Sequence, residues 1–263
     1  MNYSILSFML VGIISLQSCV APEDVDSTER VDDDDTLIVK DTNSSEKLYD
    51  FKLSAFTPVS DLEITLMVAG LTDIEQLDTT LIVDLKYASK DNFLGLNMYG
   101  TLKRAYLQDK VAKDLVTAHE YLKEKHPHLR FYIFDAVRPV SAQKMMWDAL
   151  DTIPVHQRVK FVSNPKNGSL HNYGAAIDLS IYDLETDTLL DMGAGYDDLR
   201  EIAYPKLESH FLEKGILTKE QLMNRKILRA AMRAGGFWVL PTEWWHFNRY
   251  NRYKAKELFE VVE

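Results

Sequence analysis

Two stretches decide how this chain is read: Ser169-Leu-His-Asn-Tyr-Gly174-Ala-Ala-Ile-Asp178-Leu-Ser-Ile-Tyr182 and Glu243-Trp-Trp-His246-Phe247. In the first, Gly174 allows the backbone a turn or a close approach. Ala175 to Tyr182 then runs small and apolar, which predicts a buried strand interrupted on one face by Asp178. An unpaired buried charge costs several kcal/mol, so Asp178 calls for a cation, a metal or several donors. His171 lies just ahead of the turn, and His246 sits beside Glu243 amid aromatic bulk. Two imidazoles and a carboxylate make a three-ligand zinc set whose fourth position is open to water. Glu243, near a ligand yet free to exchange a proton, suits a general base. Residues three apart face opposite sides of an ideal strand, so Glu243 and His246 share a cavity only if a bulge or strand start intervenes. Spacing alone leaves a second account open, a satisfied Asp–His core network with Glu243 ion-paired at an edge.

Working outward, Thr80 to Tyr87 predicts a strand, 91–95 a loop and Tyr99-Gly100 a turn. Leu107, Val111, Leu115, Ala118 and Leu122 recur at helical steps, predicting a helix over 104–125 that Pro127 ends. Leu129 to Val137 alternates as a strand with Phe131, Ile133 and Asp135 on one side, and Pro139 suits the first turn of a helix running to Leu150. Thr218 and Gln221 form a capping box for a helix over 219–234, stopped by Gly235-Gly236. Residues 237–240 and 244–247 complete the strands. The mixture lacks regular βα alternation, so the expected class is α+β, an antiparallel sheet flanked by helices. The remaining histidines, 119, 126, 128, 156 and 210, are expected at the surface. Trp238, Trp244, Trp245 and Phe247 are expected in the core.

The formal charge is −10, and −8 of it falls in 20–46, leaving the rest of the chain near −2 with no basic stripe. Nucleic-acid binding is therefore not expected. No Gly-x-Ser-x-Gly nucleophile motif or glycine-rich phosphate loop occurs.

Cys19 is the single cysteine, which rules out an internal disulfide or a cysteine-rich zinc module. Residues 5–16 form an apolar run of secretory-signal length, too short to span a bilayer, and Leu16-Gln17-Ser18-Cys19 resembles a bacterial lipobox. The expectation is a signal over 1–18, lipidation at Cys19 and an acidic disordered tether over 19–46. A Sec signal cleaved nearby and a buried N-terminal helix are the other readings, and no Lys or Arg precedes the apolar core. Packed structure is expected from about Leu48, in one domain over 47–263.

Ser169-x-His171-x-x-Gly174-x-Ala176-x-Asp178 with Glu243-x-x-His246 resembles the zinc D-alanyl-D-alanine dipeptidases, which include the vancomycin-resistance enzymes. These are related to D,D-carboxypeptidases of hedgehog-like fold. The resemblance extends through Asp84-Leu-Lys-Tyr-Ala88, Asp91-Asn-Phe-x-Gly95, Tyr99-Gly100, Asp135-Ala-Val-Arg138-Pro139 and Met192-Gly-x-x-Tyr-Asp197. It implies one Zn²⁺ held by His171, Asp178 and His246, with Glu243 as base and later acid. Arg138 would stabilise the oxyanion, although an ion pair with Asp135 is an alternative use for it. Ser169 would hold substrate, Asp197 would meet its ammonium, and Tyr99 with Phe93 would line the pocket.

The implied activity is hydrolysis of the dipeptide D-Ala-D-Ala at the cell envelope, by a lipid-anchored enzyme needing no protein partner and facing periplasm or cell surface. Resistance dipeptidases act on a cytoplasmic pool and need no export signal, so an exported copy would act on dipeptide released outside the membrane. Two alternatives accompany this reading. One is a D,D-carboxypeptidase or endopeptidase trimming wall peptides, and the other is a zinc-containing module that binds wall fragments without turnover.

Overall fold

The computed structural model describes residues 59–263. The expected signal, Cys19, the tether and the onset of packing near Leu48 all lie outside the described residues. Among those described, no helix is long and apolar enough to cross a membrane.

The chain enters through α1 (Asp61–Val68), capped by Ser60, whose hydroxyl accepts the Glu63 N–H while the Glu63 carboxylate accepts the Ser60 N–H. Short strands β1 (Leu71–Asp73), β2 (Ile82–Val83) and β3 (Tyr106–Gln108) follow, and β1 pairs antiparallel with β3 in a small separate sheet. Pairing with β1 claims 106–108 as strand, so the helix predicted from 104 begins only at Asp109, as α2 (Asp109–Lys125). Its apolar stripe, Val111, Leu115, Ala118 and Leu122, is buried as the spacing predicts.

Then come β4 (Leu129–Asp135), α3 (Val140–Ala149), α4 (Val155–Arg158), β5 (Ala176–Asp183), β6 (Thr188–Leu189), α5 (Glu208–Glu213), α6 (Lys219–Ala234), β7 (Trp238–Leu240), β8 (Glu243–Asn248) and α7 (Arg252–Leu258). Pro139 precedes α3 as its cap. Thr218 and Gln221 make the expected box at α6. Gly235 ends α6 where a Cβ would lie 2.2 Å from the Asp114 carbonyl, so α6 and α2 come together at a spot only glycine fits.

The main sheet has the order β2-β4-β5-β8-β7, with β6 on β5. The expected α+β class holds, with one departure. The β2–β4 edge pair is parallel, whereas the other pairs in this sheet are antiparallel. The strand predicted over 80–87 shrinks to two residues because 86–88 turns away in a 3₁₀ helix that buries Tyr87. β4 and β5 are central and buried almost throughout.

Trp244, Trp245 and Phe247 join the core, but Trp238 is 45% exposed on edge strand β7. The surface expectation also fails for His119, which is wholly buried. Its ring stacks on Phe131, and both of its nitrogens meet protein partners.

Candidate active site

The His171 turn is built locally. Ser169 caps a 3₁₀ helix (Leu170–Tyr173), its hydroxyl accepting the His171 N–H at 3.3 Å. Asn172 accepts the Ser169 N–H at 2.6 Å and donates to the Arg138 carbonyl at 2.7 Å. Gly174 closes the turn at φ +60°, where a Cβ would sit 3.1 Å from Leu71 and 3.2 Å from the Gln108 nitrogen. The turn is thus pinned to both Arg138 and the small sheet. His171 Nδ1 donates to the Ala136 carbonyl at 2.6 Å, which leaves Nε2 as a lone pair.

Sheet register supplies the other donors. Asp178 on β5 lies opposite His246 on β8 and Asp135 on β4. Two irregularities bring these side chains to one place. β4 slips between Ile133 and Asp135, and β8 bulges, so that Val239 pairs Phe247 while Leu240 pairs Glu243. That bulge is what the spacing of Glu243 and His246 required. His246 Nε2 donates to Asn248 Oδ1 at 2.9 Å, which turns Nδ1 toward Asp178.

The free atoms converge: Asp178 Oδ1 lies 2.9 Å from His246 Nδ1 and 3.3 Å from His171 Nε2, and the two ring nitrogens are 3.1 Å apart. A tetrahedral ion with bonds of ~2.0–2.1 Å holds its ligands ~3.3 Å apart, so this triangle fits one face of such a site with little adjustment. Two imidazole lone pairs aimed at one carboxylate oxygen are the donor set of a transition-metal ion, and the cleft lies on their open side. Glu243 Oε2 stands 3.8 Å from His246 Nδ1 with its side chain 32% exposed, and burial raises its carboxyl above the usual range.

Behind the donors, Arg138 Nη2 and Nε bond Asp135 Oδ2 at 2.6 and 3.1 Å, and Nη2 lies 3.9 Å from Asp178. The ion pair with Asp135 therefore exists, and Arg138 also lines the cleft. Asp197 adopts the left-handed conformation at φ +59°, and its carboxylate accepts the Tyr87 hydroxyl at 3.0 and 3.1 Å. Burial first, then the charge of Asp178, pushes Asp197 up to about 8. No cation is paired with it among the described residues. The cleft measures about 170 Å³, below the ~300–1,000 Å³ that holds drug-sized ligands.

Residues 67–263 match the family model described as D-ala-D-ala dipeptidase. The chain belongs to that family. It is accordingly a metallopeptidase, a hydrolase with a donor set suited to a metal ion. The D-alanyl-D-alanine dipeptidase of Escherichia coli is 34% identical over 67% of this chain and 83% of its own length. That of Enterococcus faecium is 30% identical over 69% and 92%, and that of Streptomyces coelicolor 28% over 69% and 92%. A solved LD-carboxypeptidase, LdcB, superposes on 58% of this chain and 63% of its own with a TM-score of 0.36 at 18% identity.

Within this dipeptidase-family cleft the structure gathers His171, Asp178, His246, Glu243, Arg138, Ser169 and Asp197. Tyr99, expected to hold substrate, is not on the wall. It is buried with its hydroxyl on Asp135, because the 97–100 turn tucks it behind Arg138. Phe93 likewise stands back, edge-on to Tyr87. Tyr87 itself lines the cleft, as do Asn248, Trp245 and Arg252; the sequence reading places Trp245 in the core and gives the other three no role. The expected strand hid Tyr87, and only the alternation of β8, which puts Asn248 two residues beyond His246 on the same face, was available as a signal for Asn248.

A second group of donor side chains, His128, Asp183 and Glu185, lies at the opposite end of the β4–β5 pair, away from the cleft.

Proposed function

We propose that this protein hydrolyses D-alanyl-D-alanine to two D-alanines outside the cytoplasm, using one Zn²⁺ held by His171 Nε2, Asp178 Oδ1 and His246 Nδ1. The observation that carries the reading is the meeting of these three donor atoms within 3.3 Å of one another, with Glu243 at their side. Zinc bound there would supply Lewis acidity and bring the pKa of a water to about 7.

The rest of the chemistry belongs to this chain. Glu243, its proton affinity raised by burial, takes a proton from the attacking water and hands it to the leaving amine. Arg138, fixed by Asp135, directs its charge at the oxyanion that develops on the scissile carbonyl. The Ser169 hydroxyl accepts from a backbone N–H and keeps its own proton to donate to substrate. Asp197 is a buried carboxylate with a phenol for company and no cation, which suits the free α-ammonium of a dipeptide. A longer peptide would place an amide where this carboxylate meets a charge. The lipobox-like residues 16–19 and the acidic stretch behind them support export and anchoring through Cys19.

The test is metal analysis of the purified protein coupled to a D-alanine release assay on the dipeptide and on a muramyl pentapeptide. One zinc per chain and faster turnover of the dipeptide are expected. Faster release from the pentapeptide would make the enzyme a carboxypeptidase. Glu243→Ala should keep the zinc and lose turnover, and retained turnover would refute the assigned base.

A further inference from the structure

We infer that Arg252 is a carboxylate-binding residue of this cleft, selecting substrates whose C-terminal carboxylate is free. The inference rests on the proposed peptidase reading and adds to it a residue and a ligand group that the reading does not assign. Charge balance on the cleft wall is the starting point. The wall carries three acids, Asp178, Asp197 and Glu243, and two cations, Arg138 and Arg252. Arg138 is committed to Asp135, and Asp178 lies close by. Arg252 has no carboxylate partner among the described residues. A zwitterionic dipeptide brings one positive and one negative end. The positive end has a buried, unpaired acid to meet, and the negative end has one cation left.

Arg252 is also held in place. It opens α7, whose cap Asn251 accepts the Lys254 N–H at 2.9 Å, a few residues after the ligand-bearing strand β8. Its Nη1 donates to the Asn167 carbonyl and its Nη2 to the Gly168 carbonyl at 3.1 Å, immediately ahead of Ser169. Those bonds use two of the five guanidinium N–H donors and fix the plane of the fork. The remaining donors form the planar array that matches a carboxylate and that an ammonium does not reproduce. Arg252 thus joins the end of β8 to the Ser169 turn and offers its charge to an anion beside the Ser169 hydroxyl. A peptide continuing past this point, or ending in an amide, gives up the charge-assisted bond.

The experiment compares the full-length protein with Arg252→Ala and Arg252→Lys. Substrates are D-Ala-D-Ala, its C-terminal amide, and an N-acetylated pentapeptide ending in D-Ala-D-Ala as acid and amide. For D-Ala-D-Ala, Arg252→Ala should raise KM about tenfold with kcat within about threefold, and should leave KM for the amide unchanged. Arg252→Lys should recover part of the loss. An equal loss on acid and amide would show that the residue only braces the turn, and an unchanged acid KM would refute the inference outright. If the wild type cleaves the pentapeptide and not the dipeptide, the dipeptidase reading fails. The acid-to-amide ratio on the pentapeptide then still decides for or against Arg252.

Discussion

The molecule buries histidine beside aspartate in two regions, and the two are finished differently. In the core, His119 on α2 offers Nδ1 to Asp78 at 3.0 Å and accepts the Phe131 N–H on Nε2 at 3.2 Å. Asp78 in turn receives Lys123 at 2.7 Å and Thr80. Every polar atom there has a protein partner, as buried polar groups generally do. In the cleft, each imidazole has one nitrogen held from outside the site, His171 by a carbonyl and His246 by Asn248, and the two inner nitrogens face each other and a single oxygen of Asp178. A histidine bonded on both sides holds structure together. A pair of histidines whose inner nitrogens converge on one carboxylate oxygen is a donor set for a metal ion.

The contrast is broken most directly by deleting one histidine from each region. His171→Ala removes a donor with no substitute. The expectation is loss of bound metal and a fall in turnover of about 10³-fold or more, with the folded state retained. His119→Ala should leave turnover per folded molecule within about twofold and lower stability by about 2–4 kcal/mol, because it opens a cavity, strands the Phe131 N–H and takes one partner from Asp78. Metal content and denaturant midpoint, measured on both variants, check the pair. A His119 variant that loses metal, or a His171 variant that loses only stability, would erase the distinction.

A smaller effect sharpens it. Asn248 lies behind His246 and fixes which nitrogen carries the proton. Such outer partners are typically worth about 10–100-fold in metal affinity. Asn248→Ala should weaken metal binding by that factor in a chelator competition. Asn248→Asp, which keeps an acceptor, should lose less.

These two regions also show what a sequence conveys and what it withholds. The helical spacing of α2, the capping box that opens α6 at Thr218, and the apolar run of β5 are local patterns, and they were legible. The donor triad was legible because Asp178 is a charge inside an apolar strand, and its partners were named by motif. His119 was misread for the same reason in reverse. Its neighbours on the helix are Glu and Lys, and nothing local shows that Asp78 and Phe131 close over it from elsewhere in the chain. Tyr99 was placed on the cleft wall and Tyr87 was not, because a two-residue register of β2 and a 3₁₀ turn decide which phenol reaches Asp197. Arg252 was invisible, since its meaning comes from carbonyls at 167 and 168 far away in sequence.

The smallest effect is a pH dependence that only the core pair should show in a difference measurement. Burial lowers His119 to about 4, against the opposing pull of Asp78, while an unfolded histidine titrates near ~6.5. The folded state therefore holds the neutral ring, and protons favour the unfolded chain. The stability that His119 contributes is intact above pH ~6.5 and is lost as pH falls from there toward 4. Asp78 acts in the same direction at lower pH. Although burial raises it, the bonds from Lys123 and Thr80 hold it well below the usual carboxylate range, so its contribution persists until pH drops below ~4. Between pH 7 and pH 5 the His119 contribution should fall by about 1–2 kcal/mol. The wild type minus His119→Gln difference in unfolding free energy isolates it, because the cleft groups titrate alike in both proteins. A flat difference across that window would mean that the fold leaves the His119 pKa where the unfolded chain has it, and a difference that grew as pH fell would mean a ring protonated in the fold, an ion pair instead of a neutral bridge.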